Sequence, residues 1–145
     1  TNIDVTSGTG PVPSVALAID AEVAFADQLA TRPELKDYAE TVNAIGATGG
    51  GTQDIDLTLG NVVTATVDTS ANTFTFSNPS ATGKSCSFTL ILTNGGSQTV
   101  NWPAAVDFAG GTAPTLTAAG VDVLGFMTVD AGTRWYGFAG GLAMA

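Results

Sequence analysis

Residues 53–80 read QDIDLTLGNVVTATVDTSANTFTFSNPS, and the period of the stretch is two. Ile55, Leu57 and Leu59 alternate with Asp54, Asp56 and Thr58 as far as Gly60-Asn61. Val63, Ala65 and Val67 alternate with Thr64 and Thr66 as far as Asp68-Thr69-Ser70, and Phe74 and Phe76 with Thr73, Thr75 and Ser77 as far as Asn78-Pro79-Ser80. Apolar residues at every second position mark half-buried strands, because successive Cβ atoms leave opposite faces of the chain. Downstream, Ser85–Thr93 carries Cys86, Phe88, Leu90 and Leu92 on one side. Asn94-Gly95 then predicts a hairpin into Ser97–Trp102, since both residues tolerate positive φ. Val121–Thr128 and Thr133–Phe138 read as a last hairpin around Asp130-Ala131-Gly132. About seven strands, with turn chemistry every eight to twelve residues or so, predict a mainly β fold, an antiparallel β-sandwich. The stretch 104–119, with Gly110-Gly111 and Pro114, reads as a surface excursion.

Upstream the pattern changes. The run Gly46-Ala47-Thr48-Gly49-Gly50-Gly51 predicts a flexible joint, dividing the chain into 1–46 and 47–145. Thr1–Ser14, with Gly8, Gly10, Pro11 and Pro13 among Thr and Ser, reads as an extended arm. Asp20 can cap a helix over Ala21–Ala30, and Pro33 suits the first turn of a second short helix over Pro33–Ala44. In that second helix Leu35, Tyr38, Val42 and Ile45 recur at the spacing of a coiled-coil seam, with Gly46 as the stop. A helix this short is marginal alone in water, so the stripe needs a partner. Either the chain's own β-domain or copies of the same helix can supply it, and the glycine joint favours copies.

The 145 residues carry four Lys and Arg against thirteen Asp and Glu, a net charge of -9, with no histidine, one cysteine and only 12% charged residues. A partner held through phosphates needs a cluster of cations that is missing, so nucleic acid and anionic membrane surfaces are disfavoured. Without histidine, Ser-His-Asp and Cys-His catalysis cannot be built, and no imidazole is present to hold a metal. Cys86 alone makes no internal disulfide. No apolar run approaches the ~18 residues that span a bilayer. The chain reads as a soluble, non-enzymatic protein without cofactor, compatible with assembly in a reducing cytoplasm.

Several motifs invite chemistry and fail on context. Gly83-Lys84-Ser85 imitates the end of a phosphate-binding loop, but Asn78 stands where the motif needs glycine and a strand follows where it needs a helix. Gly8-Thr9-Gly10 runs into Pro11 and Pro13, which cannot open a nucleotide-binding helix. Asp54 and Asp56 share a strand face, and their alternation with Ile55 and Leu57 reads as a solvated edge rather than a carboxylate pair. Trp102, Trp135 and Tyr136 could form a platform for sugar rings, although Trp135 and Tyr136 leave opposite faces of one strand and core or subunit contact is the plainer reading. Cys86, on the apolar side with Phe88, reads as an inert thiol.

The most distinctive pieces are Phe88-Thr89-Leu90-Ile91-Leu92-Thr93, Trp102-Pro103, Gly110–Thr117 and Arg134-Trp135-Tyr136-Gly137-Phe138. From about Leu35 to the terminus the chain resembles a β-rich module of tailed-bacteriophage virion proteins, often found at the carboxyl end of tail-fibre or tail proteins. The resemblance implies a structural role on the virion, as a homotrimer, and brings no catalytic residues with it. An arm of some thirteen extended residues reaches about 40–45 Å, which suits a segment lying on a capsid or tail protein beneath an outward β-knob. A short head fibre or capsid decoration protein is therefore expected. A tail-fibre or tail-tip knob that binds host surface glycan is the alternative.

Overall fold

A computed structural model describes residues 31–144. The arm expected over 1–14 and the helix expected over 21–30 lie outside the described residues. The chain divides into two compact units, Thr1–Asp37 and Tyr38–Ala145. Of the first, residues 31–37 are exposed and form neither helix nor strand.

The second unit is built from nine strands: β1 (Val42–Ala47), β2 (Gly51–Asp56), β3 (Val62–Thr66), β4 (Asn72–Ser77), β5 (Cys86–Thr93), β6 (Val100–Asn101), β7 (Val106–Phe108), β8 (Val121–Thr128) and β9 (Trp135–Met144). They form a six-stranded sheet in the order β1-β3-β5-β8-β9-β7 and a three-stranded sheet in the order β2-β4-β6. The mainly β expectation holds. The purely antiparallel sandwich does not: β1, β3 and β5 run parallel, as do β2, β4 and β6. Only β8, against β5 and β9, pairs antiparallel. Parallel neighbours need a long connection between them, and here the strand of the opposite sheet is that connection. Each odd strand bends over the core into the next even strand and returns one position further along. The first six strands are thus three stacked arches, and such stacking makes each arch depend on its neighbours.

The arch bends are where the backbone turns left-handed. Gly49, Gly50 and Gly51 lead from β1 to β2 with φ of 65°, 90° and 79°. Thr69 (φ 54°) and Asn94 (φ 55°) serve the second and third arches. The glycine run is therefore a bend within the β-unit, and that unit includes Val42–Ala47 upstream of it. Asp68 ties the arches together, accepting a hydrogen bond from the Gly49 N–H at 2.7 Å. A Cβ on Gly50 would run into the Ser70 side chain of the next arch, whereas one on Gly51 would meet open space. Gly51→Ala is expected to cost about 1 kcal/mol for the left-handed backbone alone. Gly50→Ala should cost about 2–3 kcal/mol, each cost being read from the shift of that variant's urea-unfolding midpoint from the natural chain's.

Two further expectations change. Asn94-Gly95 is not a hairpin turn: Gly95–Ser97 forms one turn of 3-10 helix, and β6 joins the smaller sheet beside β4. The glycines serve packing here, since a Cβ on Gly95 would sit 2.9 Å from a Leu92 methyl. The helix expected over 33–44 is also absent. Residues 31–41 are irregular, and Val42–Ala47 pairs with β3 as an edge strand. The β-branched Val42 and Ile45 fit a pleated sheet better than a helix turn, and pairing with β3 outweighs the weak propensity of a short helix. Leu35, Tyr38, Val42 and Ile45 therefore share no helical face.

Between the sheets lies a dry core. Ile55, Val63, Leu90, Leu92, Leu124 and Phe126 are fully buried. Phe76 meets Phe88, Phe126 and Trp135 edge-on at centroid distances of 4.9, 5.1 and 5.3 Å, and Phe88 stacks on Phe126 at 5.0 Å.

Candidate functional site

The feature that stands out is the outer face of the six-stranded sheet. In β8 the side chains of Asp122, Leu124, Phe126 and Thr128 are buried, so Val123, Gly125 and Met127 point outward. Residues opposite one another across a sheet share a face, and the register extends this one over its neighbours. Across the middle run Ala44, Thr64, Ile91 and Val123. One row along lie Val62, Thr89, Gly125 and Phe138, and beyond them Met127 beside Tyr136. From β1 to β9 none of these outward residues is charged. The first charge is at the far edge, where Asp107 of β7 is bridged by Arg134 at 2.9 Å. Tyr136 is 48% and Phe138 54% exposed. The Phe138 ring lies over Gly125, at a place where any Cβ would collide with it.

Charge is the reason to single this face out. On a chain of net charge -9, like charges meet wherever two acidic surfaces approach. One carboxylate pair about 4 Å apart costs about 4 kcal/mol at an effective dielectric of 20. The smaller sheet has such a surface. Asp54 of β2 accepts hydrogen bonds from the hydroxyls of Thr75 (2.7 Å) and Ser77 (2.6 Å), and Asp56 from the Thr58 hydroxyl (2.7 Å) and Asn78 (2.9 Å). The bonds from Asn78 and Thr58 hold the Asp56 carboxyl below its usual range. That direction is wrong for a general acid, which needs its proton at neutral pH. The two sheets therefore present different chemistry: hydroxyls and carboxylates on one side, Thr, Val, Ile and aromatic groups on the other.

The residues singled out as a sugar platform are not brought together. Trp135 is 2% exposed and belongs to the core. Trp102 is half-buried, stacked on Phe74 at 5.5 Å and tilted against Phe126 at 5.3 Å, so its faces are occupied from within. Tyr136 alone of the three faces outward. Of the four seam residues, Leu35 and Tyr38 are exposed in irregular chain, while Val42 and Ile45 belong to β1, with Ile45 packed on the core. Cys86 is half-buried and accepts a hydrogen bond from the Ser80 N–H at 3.2 Å. Lys84 is exposed in a loop before a strand, as its context predicted.

The low share of charged residues, 12%, is in keeping with a covered surface, but which residues compose the outer face was not read from the sequence, although a signal for it is present. Leu90-Ile91-Leu92 and Val123–Met127 are apolar on both alternations, the mark of strand segments covered on both sides. Among the described residues no group of His, Cys, Asp and Glu is arranged to hold a metal ion. Comparison of the chain with protein-family models, with curated proteins and with solved structures gives no match.

Proposed function

We propose that this chain is a structural protein of a tailed-bacteriophage virion, a short head fibre or capsid decoration protein. In this reading it works as a homotrimer, docked on a major capsid or tail protein through its N-terminal segment and presenting the β-unit as a knob. The observation that carries the reading is the broad uncharged face on an otherwise acidic chain, with Tyr136 and Phe138 exposed on it, because large apolar groups gathered on one exposed face mark an interaction site. The likeness of Phe88–Thr93 and Arg134–Phe138 to the virion module supplies the biological setting. The fold itself suits a passive load-bearing element: its polar groups are spent on tying arches together, as Asp68 and Asp56 do.

Electron microscopy of phage particles decorated with an antibody against residues 38–144 tests the placement. Label repeated regularly over the head is expected. Label confined to the tail tip, with binding of the purified chain to host-surface glycan, would move the protein to the alternative placement. Particles that carry no label would remove the virion role.

A further inference from the structure

We infer that the outer face of the six-stranded sheet is the surface through which copies of this chain join, with Ile91, Thr64 and Phe138 near its middle. The inference deepens the homotrimer reading above and rests on it, since it names the surface and the partner, a second copy of the same chain.

Two observations select that partner. The first is charge. A copy of this chain brings a net charge of -9, and the outer face of the smaller sheet meets it with Asp54 and Asp56. The outer face of the larger sheet meets it with none from β1 to β9, and its one acid, Asp107 at the β7 edge, is already paired with Arg134. Copies can therefore approach closely through this face without stacking carboxylate on carboxylate, and the exposed Tyr136 and Phe138 gain by being covered. The second is size. Six strands about 4.8 Å apart and about six residues long at about 3.3 Å each give roughly 600 Å² in plan. Corrugation by side chains brings that near the ~800 Å² each partner contributes to a standard interface. Tyr136 and Phe138 are the aromatic anchors such a contact calls for, and the hydroxyls of Thr64, Thr66 and Thr89 are neutral groups that can pair across it.

Sedimentation velocity on the full chain at micromolar concentration tests this. It compares the natural chain with Ile91→Lys, Thr64→Lys and, on the other sheet, Thr52→Lys. The natural chain and Thr52→Lys are expected at three times the 14.5 kDa of one chain. Ile91→Lys and Thr64→Lys should raise the dissociation concentration at least a hundredfold with unchanged circular dichroism, because burying an unpaired ammonium is costly. Thr64 is already polar and lies outside the hydrophobic core, so it keeps the test open should Ile91→Lys fail to fold. Folded variants that keep the natural mass would overturn the inference and leave the homotrimer standing on another surface. A natural chain that sediments as a monomer would overturn both. If Met127 and Tyr136 of such a monomer resist oxidative footprinting, the cover is the chain's own upstream segment.

Discussion

Phe126→Ala is expected to lower stability by about 3–5 kcal/mol, enough to unfold much of the β-unit near 37 °C. Phe126 is fully buried. Its ring stacks on Phe88 at 5.0 Å and meets Phe76, Trp102 and Phe108 at 5.1, 5.3 and 6.0 Å. These partners come from β4, β5, β7 and the segment after β6, so one ring links both sheets and both the parallel and the antiparallel parts of the fold. Truncation removes the transfer term and leaves a cavity that four stiff aromatic neighbours cannot close. The melting midpoint should fall by roughly 15–30 °C. Phe126→Leu keeps most of the volume and should cost about 1.5 kcal/mol. Equal losses for the two variants would show that the aromatic cluster is not a close-packed unit.

Asp122→Ala should cost about 3 kcal/mol at neutral pH, because it strips an acceptor from buried donors. The carboxylate is fully buried at the start of β8 and accepts the Thr117 N–H and O–H, both at 2.7 Å, and the Ala143 N–H at 3.1 Å. It thus anchors the end of β9 and the 112–120 segment. Burial pushes its pKa up, but the bonds from Thr117 and Ala143 outweigh burial and hold it below the usual carboxylate range. A folded pKa below the unfolded one means that the unfolded chain binds more protons as the pH falls. This contribution is therefore present at neutral pH and is lost as the pH drops below about 4 through the folded value. Asp130 adds to the same acid loss. Its carboxyl is held low by the Arg134 N–H and the Thr128 hydroxyl, at 3.0 and 2.8 Å. Asp122→Asn keeps the shape and cannot titrate, so its melting midpoint should fall less between pH 7 and pH 3 than that of the natural chain. A parallel decline of the two would assign acid sensitivity to other groups.

Strand positions from β2 to β5 were legible because Thr and Asp alternate with Val, Ile, Leu and Phe there, and burial follows that alternation except at Leu59, which is exposed in the turn after β2. Partners were not legible. A residue such as Thr69 or Asn94 in the left-handed region turns a chain equally well into a hairpin or across a core. The choice rests on what the next strand can cover: Phe74 must lie opposite Trp102, and Gly95 must admit Leu92 and Leu116. Leu35, Tyr38, Val42 and Ile45 show the converse error, a helical spacing overridden by strand pairing.

Alternation is a local property, written into the order of side chains, and with it came the β class, the last hairpin and most of the core. Charge is additive, so the acidity and the lack of histidine chemistry needed no coordinates. Direction of pairing and identity of neighbours are non-local. They depend on how three arches stack, and so does the uncharged face, because Ala44, Ile91 and Val123 lie far apart in the chain and meet in one row only once β1, β3, β5 and β8 are side by side.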